Sequence, residues 1–227
     1  MPLVELRGVH KTYRLGESRI EALRGVDFSL EAGEFTAIWG PSGSGKTTLC
    51  NVVGLLDEAT SGEVYLQGEP AAKLSDDARA DFRNRSLGFI FQRFNLIPVL
   101  TAVENVMLPL QLRGVAASEA RASAVRGLER LGLAGHLRHR PDKLSGGQQQ
   151  RVAIARAIVG EPAMVIADEP TANLDSETAR DLIDLLHGIN RENGTTFLIA
   201  THDQRLLERV ERRVLLRDGA VASDEAR

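Results

Sequence analysis

The chain has 227 residues, enough for one large domain or two small ones, and a hydrophobic content of 43% supports a substantial core. Aromatic residues make up only 4%, so we expect that core to be mostly aliphatic. The net charge of −3 gives no general electrostatic reason to bind nucleic acid, and no nucleic-acid partner is expected. No apolar run approaches the roughly 18 residues that a membrane span needs.

The single cysteine, Cys50, cannot form an internal disulfide, and no signal peptide opens the chain. Both features favour a reducing cytosol. Cys50 falls within a predicted helix, where we expect it to be a small core residue rather than a nucleophile.

The opening part of the chain predicts antiparallel strands that are partly exposed. Residues 3–9 alternate weakly, residues 20–30 carry apolar side chains at period two, and residues 62–67 form another short strand. Gly25 predicts a bulge or a bend in the second of these strands.

A glycine-rich loop lies between a strand and a helix. Residues 34–39 are a short apolar run of strand type, and residues 47–54 are a plausible helix that ends in glycine. The loop between them fits the pattern Gly-x-x-x-x-Gly-Lys-Thr. The fixed positions of that pattern are Gly40, Gly45, Lys46 and Thr47.

This loop has the chemistry of an anion site, because its N–H groups point inward and the helix N-terminus adds about half a positive charge. Lys46 can reach the β- and γ-phosphates of a nucleotide, and Thr47 Oγ can ligate Mg²⁺. The flanking strand and helix disfavour the alternative, a Gly/Ser-rich loop that matches by chance. The sequence therefore predicts that the chain binds a nucleoside triphosphate. The loop residues assigned to this site are Gly40, Pro41, Ser42, Gly43, Ser44, Gly45, Lys46, Thr47 and Thr48.

Helices and one buried strand are predicted in the part of the chain that follows this loop. Residues 75–85 predict a charged surface helix, and residues 87–91 predict a buried strand that ends at Gln92. Thr101 and Glu104 then form a capping box. The helix that it opens is expected to stop at Gly114 and to bury one face, which consists of Val103, Val106, Met107 and Leu110.

Two further helices follow. Ser118 opens one that is stopped by Gly132, and its apolar residues recur at steps of three. That predicted face consists of Ala122, Val125, Leu128 and Leu131. The other runs over residues 147–159. Residues 93–160 are therefore predicted to be a helical insertion.

Strands and helices then alternate, which implies parallel strands with right-handed crossovers. Residues 163–167 and 196–200 are apolar strands, separated by a helix that is capped by Asp175 or Ser176 and stopped near Gly194. A short helix over residues 206–210 and a final strand over residues 214–216, followed by a turn at 218–219, complete the prediction. The fold class is therefore α/β.

Two carboxylates follow the first of these strands. A strand that ends in Asp168 opposite the glycine-rich loop is what a Mg²⁺-nucleotide site needs, and Asp168 would hold the metal directly or through water. Glu169 is placed to polarise a water for attack on the γ-phosphate. The alternative, a merely polar strand end, is disfavoured by the presence of the loop.

Residues 144–151, Leu-Ser-Gly-Gly-Gln-Gln-Gln-Arg, place a serine, two glycines and a donor side chain before an apolar helix. Such a segment is a second anion-binding helix N-terminus in one chain, which a single nucleotide does not obviously need. It could serve a nucleotide held by another copy of the protein, or it could be a flexible Ser/Gly helix cap.

Three motifs together resemble the ATP-binding-cassette (ABC) ATPases, over essentially the whole chain. They are the glycine-rich loop at residues 40–48, the Leu-Ser-Gly-Gly-Gln segment at residues 144–148 and the pair Asp168-Glu169. The resemblance implies a P-loop NTPase (RecA-like) core with an antiparallel β subdomain and an inserted helical subdomain. A single nucleotide-binding domain would cover residues 1–227, with its core at about 1–92 and 161–227 and its helical subdomain at about 93–160.

The resemblance also assigns roles to single residues. Tyr13 would stack on adenine, and Gln92 would contact Mg²⁺ and the attacking water. The segment Asn173-Leu-Asp175 would cross to the partner subunit, and His202 would contact the γ-phosphate.

The implied mechanism uses ATP, Mg²⁺ and two subunits paired head to tail. Ser145, Gly146, Gly147 and Gln148 of one subunit would close on the γ-phosphate held by Lys46 of the other. Glu169 would act as base or water orienter, with His202 supporting the transition state. The helical insertion would pass the motion to an integral-membrane permease, which places the subunit peripherally at the cytoplasmic face of the inner membrane.

A narrower resemblance is to the lipoprotein-releasing and macrolide-efflux (LolD/MacB-type) ATPases. It rests on residues 88–98 and 100–106, and on Gly25-Val-Asp-Phe after the loop at residues 17–21. It implies export, lipoprotein release or efflux through a permease with a large extracytoplasmic domain. Ala172 and Trp39 depart from that subgroup's usual glycine and small aliphatic residue. An FtsE-like ATPase that transmits a mechanical signal is the alternative function.

Overall fold

The computed structural model describes residues 1–16, 18–172 and 174–226, apart from the side chain of Leu15. Asn173, assigned above to the segment that crosses to a partner, lies outside the described residues. The strands are β1 (Val4–Leu15), β2 (Ser18–Leu30), β3 (Phe35–Trp39), β4 (Ser61–Leu66), β5 (Glu69–Pro70), β6 (Leu87–Ile90), β7 (Met164–Asp168), β8 (Thr196–Thr201), β9 (Arg212–Arg217) and β10 (Ala220–Ala226). The α-helices are α1 (Lys46–Val53), α2 (Asp76–Ser86), α3 (Ala102–Leu112), α4 (Ala117–Arg130), α5 (Gly146–Ile158), α6 (Ser176–Asn193) and α7 (Gln204–Leu207).

The central sheet has the strand order β10-β9-β3-β8-β7-β6, and all its pairings except β10 with β9 are parallel. The predicted α/β class is therefore confirmed. The expectation that residues 214–216 form the final strand is wrong, because β10 follows as an antiparallel edge strand. Its sequence, Ala-Val-Ala-Ser-Asp-Glu-Ala, has one large apolar side chain, Val221, and none of its residues is fully buried, so no apolar alternation marks it as a strand.

The sheet register sets the position of the functional residues. Trp39 pairs with Thr201, and Asp168 pairs with Ala200, so β3, β7 and β8 end at one edge. The glycine-rich loop, Glu169 and His202 each follow one of these three strand ends. A parallel sheet places its ligand sites outside this carboxyl edge.

A second sheet, with the order β2-β1-β4-β5, is antiparallel throughout, as expected. Gly25 has φ +63° and lies where the register between β1 and β2 shifts. Glycine adopts this backbone conformation without steric cost, and of the bulge or bend predicted at Gly25 the structure shows a bulge.

Helices α3, α4 and α5 pack against one another. The capping box at the start of α3 is present: Glu104 N–H donates to Thr101 Oγ1 at 3.4 Å, and Thr101 N–H donates to Glu104 Oε2 at 2.8 Å. The predicted face of α3 is confirmed as buried. Residues 93 and 160 remain the predicted limits of this helical part.

The predicted face of α4 is confirmed at Leu128 and Leu131, which are buried, and is wrong at Ala122, which is exposed. Val125 is half-buried and packs against the same core. The fully buried side chains within α4 are Ala120, Ala124 and Leu128. These three recur at steps of four, which keeps them on one side of a helix with 3.6 residues per turn.

Two apolar clusters cover the two faces of the central sheet. The larger includes Phe35, Phe197 and the buried faces of α3 to α6, and the smaller joins Ile38 and Cys50 to the antiparallel sheet. Cys50 is thus a core residue, as expected, and burial raises the pKa of its thiol. Within the described residues, no helix combines the length and the apolar character needed to cross a membrane.

Candidate functional site

The glycine-rich loop turns sharply from β3 into α1, which begins at Lys46. Gly40 has φ +152° and Gly45 has φ +102°. A Cβ atom at Gly40 would lie 2.1 Å from the carbonyl oxygen of Leu216, and one at Gly45 would lie 2.5 Å from that of Ala22. Only glycine fits both positions, so packing against two neighbouring strands fixes the shape of the loop.

Lys46 spans the loop that it follows. Its side chain is largely buried, and Nζ donates to the carbonyl oxygens of Gly40 at 2.9 Å and Pro41 at 3.1 Å. The ammonium is therefore held against the loop at the N-terminus of α1, where the helix dipole and the cation would both favour an anion. Ser44 Oγ is buried without a hydrogen-bond partner in the described structure.

A hydroxyl and a carboxylate meet across the loop. Thr47 Oγ1 donates to the carboxylate of Asp168, at 3.1 Å from Oδ1 and 3.0 Å from Oδ2. Burial, with a smaller contribution from the charge of Glu169, raises the pKa of Asp168, so its anionic form is disfavoured. A cation beside Asp168 would favour the anionic form of its carboxylate. One hydroxyl and one carboxylate also suit Mg²⁺, which keeps waters and phosphate oxygens as its other ligands. No group of three or more His, Cys, Asp or Glu side chains in the described structure forms a metal cluster.

Glu169 lies one residue beyond Asp168 in the left-handed region, with φ +48°. Its N–H donates to the carbonyl oxygen of Ala200 at 2.8 Å, which ties this bend to the end of β8. His202 Nδ1 lies 2.8 Å from both carboxylate oxygens of Glu169. The carboxylate side chain is 13% exposed and the imidazole 68% exposed. A non-glycine residue in this conformation is strained, and such strain is concentrated at functional sites.

Most of these groups line one cavity of about 950 Å³. Gly40, Ser44 and Asp168 are not in its lining, and Asp168 lines a second pocket that it shares with Thr47. The predicted residues that line the 950 Å³ cavity are Pro41, Ser42, Gly43, Gly45, Lys46, Thr47, Thr48, Gln92, Glu169 and His202. The predictions did not include six further lining residues, namely Ile20, Glu21, Ala22, Arg24, Asp218 and Gly219. The turn at Asp218-Gly219 was expected but not assigned to the site, and Arg24 N–H donates to the Gly219 carbonyl at 2.8 Å, which brings the two segments together.

Tyr13 lies beside this cavity rather than in its lining. Its hydroxyl donates to Asp57 Oδ2 at 2.7 Å, and Lys11 Nζ lies 4.9 Å from the centre of its ring. Lys11 Nζ also donates to Asp57 Oδ1 at 2.5 Å. Burial raises the pKa of the Tyr13 hydroxyl, and a hydrogen bond to Thr48 opposes this. Tyr13 is thus held by a charged cluster next to α1. The sequence-based prediction did not include Lys11 and Asp57 among the site residues.

The second helix N-terminus is that of α5. Ser145 is its N-cap, and a capping box links Gln148 N–H to Ser145 Oγ at 3.3 Å and Ser145 N–H to Gln148 Oε1 at 2.9 Å. Gln148 Nε2 lies 3.1 Å from His136 Nε2. The described residues that line the 950 Å³ cavity include none of residues 145–148, and Gly147 lines a separate pocket with Thr178. The start of α5 therefore does not contribute to the cavity at the start of α1.

A family model described as ABC transporter matches residues 23–172. The chain belongs to the ABC transporter family. As a member of this family it is an ABC-type ATPase, and its relatives include LolD and MacB proteins.

Two relatives show the subgroup. The chain is 50% identical to the lipoprotein-releasing system ATP-binding protein LolD of Anaeromyxobacter dehalogenans, over 98% of this chain and 94% of LolD. It is 47% identical to the macrolide export ATP-binding/permease protein MacB of Syntrophobacter fumaroxidans, over 97% of this chain. The chain spans only 31% of that MacB protein. This ABC ATPase is therefore of LolD/MacB type.

A solved structure shares the fold. The ATP-binding cassette MJ0796 of Methanocaldococcus jannaschii, solved as a dimer in a post-hydrolysis state bound to ADP and Pi, superposes with a TM-score of 0.92. The two are 44% identical, and the match covers 98% of each chain. The expected ABC ATPase architecture is thereby confirmed.

Proposed function

We propose that this ABC ATPase binds and hydrolyses ATP to drive a separate membrane permease, through a head-to-tail dimer in which each nucleotide contacts both subunits. The observation that carries the proposal is the separation of two halves of a site within one chain. Lys46, Thr47, Glu169 and His202 share one cavity, whereas residues 145–148 lie outside its lining. A second copy could supply the missing half.

Lys46 and the N–H groups of the loop would hold the β- and γ-phosphates of ATP. Lys46 would then exchange its bonds to the Gly40 and Pro41 carbonyls for phosphate oxygens. Thr47 and Asp168 would hold Mg²⁺, with Gln92 facing the same cavity. When bound, the metal would neutralise charge that develops on the phosphates. Tyr13, at the side of the cavity, would contact the base.

Glu169 would orient the attacking water and accept its proton. The short contact with His202 Nδ1 would hold the carboxylate in one orientation. The left-handed backbone at Glu169 turns the chain away from the direction of β7. His202, which is mostly exposed, is free to contact a γ-phosphate on its other side. Both groups would therefore act on the phosphate that Lys46 holds.

Ser145, Gly146, Gly147 and Gln148 of a second subunit would complete the site from the opposite side. The helix dipole and the free N–H groups at the start of α5 favour an anion there. The dimeric MJ0796 cassette bound to ADP and Pi supports this arrangement. Loss of the bond to the γ-phosphate after hydrolysis would release the dimer, so the dimer would act as a nucleotide-controlled two-state element.

The permease would be a separate protein. LolD is an ATP-binding protein of nearly the same length as this chain, and MacB is a single ATP-binding/permease protein of which this chain matches about a third. Export, lipoprotein release or efflux would follow from these relatives, with a permease that carries a large extracytoplasmic domain. The ATPase would then lie at the cytoplasmic face of the inner membrane, bound through that permease.

The test is the molar mass of Glu169→Gln with ATP and Mg²⁺, measured by light scattering after size exclusion over a range of protein concentrations. We expect ATP binding without turnover and a dimer that disappears when ATP is replaced by ADP. Glu177→Gln, at an exposed position in the first turn of α6, is the matched control and should behave as wild type. A Glu169→Gln protein that binds ATP but stays monomeric at every concentration would contradict the proposed dimer.

A further inference from the structure

Arg156, near the end of α5, reaches across to the segment that follows Gln92. Its guanidinium donates from Nη1 to the carbonyl oxygen of Asn95 at 2.6 Å and from Nη2 to that of Phe94 at 2.8 Å. Two parallel bonds from one planar fork fix both the distance and the orientation of the group that accepts them.

The accepting segment has an unusual backbone. Phe94 has φ +61° and Asn95 has φ +48°, so two consecutive residues other than glycine adopt the left-handed conformation. Each such residue costs of order 1 kcal/mol and persists only where its surroundings hold it. The two carbonyls that Arg156 binds are those of these same two residues, so Arg156 stabilises the strained conformation directly.

The strained pair is continuous with the turn that carries Gln92. Phe94 N–H donates to the carbonyl oxygen of Phe91 at 3.0 Å, which closes a four-residue turn with Gln92 and Arg93 at its centre. Gln92 lines the 950 Å³ cavity beside Lys46 and Glu169. Fixing Phe94 therefore fixes one end of the turn that presents Gln92 to the cavity.

Arg156 and the cap at Ser145 belong to one helix. They are separated by 11 positions, or about 16 Å along α5 at 1.5 Å per residue. The far side of the segment is also anchored: the buried Asn105 side chain of α3 accepts from Ile97 N–H at 2.8 Å and donates to the Thr101 carbonyl at 3.0 Å. Displacement of α5 would thus be transmitted to the Gln92 turn.

We infer that Arg156 is a positioning residue for the ATPase reaction, which couples the position of α5 to the placement of Gln92 in the nucleotide cavity. The inference rests on the proposed role of Gln92 in that cavity. Arg156 is half-buried, and this partial burial lowers its pKa, so the cation carries a desolvation cost that its two carbonyl bonds offset. The same helix would then respond to a nucleotide at its N-terminus and adjust Gln92 near its C-terminus.

The test is a double-mutant cycle on kcat between Arg156→Lys and Gln92→Ala in the full chain. Lysine keeps the charge but cannot make the paired bonds. We expect Arg156→Lys to lower kcat about 10-fold or more, because misplaced groups lose catalysis steeply, while KM for ATP stays within about twofold of wild type. In the Gln92→Ala background it should lower kcat by less than about twofold, since the group that it positions is gone.

Arg113 is the matched control. It also donates to backbone carbonyls, those of Asn84 and Gly160, but neither belongs to the Gln92 turn. We expect Arg113→Lys to lower the melting temperature. Any change in kcat that it causes should be the same with and without the Gln92→Ala substitution. The inference would be overturned if the fold-decrease in kcat of the double variant equalled the product of the two single-variant decreases. A wild-type kcat for Arg156→Lys would also overturn it.

Hydrogen exchange provides a readout that does not depend on turnover. Arg156→Lys, or Arg156→Gln if the lysine variant melts below the assay temperature, should speed exchange at the Phe94 amide relative to the Thr101 end of the segment. Unchanged exchange would contradict the positioning role. Ser145→Arg separates this result from the proposed dimer: if that variant hydrolysed ATP normally, the two-subunit site would fail, while the coupling within one chain would still be measurable.

Discussion

His202 Nδ1 lies 2.8 Å from each carboxylate oxygen of Glu169, although 32 residues separate them in the chain. The contact arises because Asp168 on β7 pairs with Ala200 on β8, so the residues that follow these strands meet at one edge of the sheet. The carboxylate that we propose accepts a proton from water and the imidazole that we propose contacts phosphate are therefore already side by side.

Removing His202 should lower turnover without preventing nucleotide binding. We expect His202→Ala to reduce kcat by roughly 10²- to 10³-fold, since the carboxylate of Glu169 loses its orienting partner and the phosphate loses a donor. Affinity for ATP, measured by calorimetry, should change little. His139→Ala is the control, because His139 is exposed and outside the lining of the cavity. A wild-type kcat for His202→Ala would show that the contact with Glu169 is structural only.

Lys46 should dominate the affinity for ATP. Its ammonium is buried and already hydrogen-bonded to the loop, and a bond to a charged phosphate is worth about 1.5–3 kcal/mol. We expect Lys46→Ala to weaken ATP binding by about 10-fold or more in calorimetry. Lys73→Ala, on the exposed surface, should bind ATP as wild type does. Equal affinities for the Lys46 and Lys73 variants would place the phosphate site elsewhere.

Asp168 should lower the stability of the nucleotide-free fold at neutral pH. Because burial raises its pKa in the folded state, the stability linked to its protonated form is present at low pH and is lost as pH rises through the folded-state pKa. Asp168→Asn removes that charge, and the amide oxygen can still accept from Thr47. We expect a higher melting temperature without nucleotide at pH 7, a smaller gain from the substitution at pH 3, and loss of ATPase activity. A melting temperature that falls equally at both pH values would contradict this.

Two glycine substitutions should have opposite effects on stability. Gly40→Ala would place a Cβ 2.1 Å from the Leu216 carbonyl, and we expect it to destabilise the fold by about 1–3 kcal/mol and to weaken ATP binding. Gly188→Ala lies within α6 with no atom near its Cβ, and should stabilise by about 0.5–1 kcal/mol. Both are measured by urea unfolding. A neutral Gly40→Ala would mean that the loop can shift away from β9.

Much of this arrangement could be predicted from local sequence signals. The capping box at Thr101 is made by residues one turn apart, and the sequence predicts it. For α6 the sequence left the cap open between Asp175 and Ser176, and Asp175 is the residue that caps the helix. The glycine-rich loop is similarly local, since its shape depends on glycines at fixed spacing. Trp39, which departs from the subgroup pattern, packs against the larger apolar cluster.

The remaining features depend on contacts between distant segments. Three hydrogen bonds link segments that no short motif connects. They join Tyr13 to Asp57, Arg24 to Gly219 and Arg156 to Phe94. In the alanine-rich α4, packing against α3 and α5 buries Ala120 and Ala124 rather than the predicted Ala122. The largely exposed edge strand β10 pairs with β9 through backbone bonds, which hydropathy does not report.

The most direct measurement of the two-subunit site is ATPase complementation between Lys46→Ala and Ser145→Arg. Each variant alone should be inactive, because every site in its dimer lacks one half. In a mixed dimer, one site combines the intact Lys46 of one subunit with the intact residues 145–148 of the other. We predict that mixing the two inactive proteins restores ATPase activity, with a rate that rises and then falls as their ratio passes through equality. Activity that stays at the level of the separate variants at every ratio would contradict the shared site.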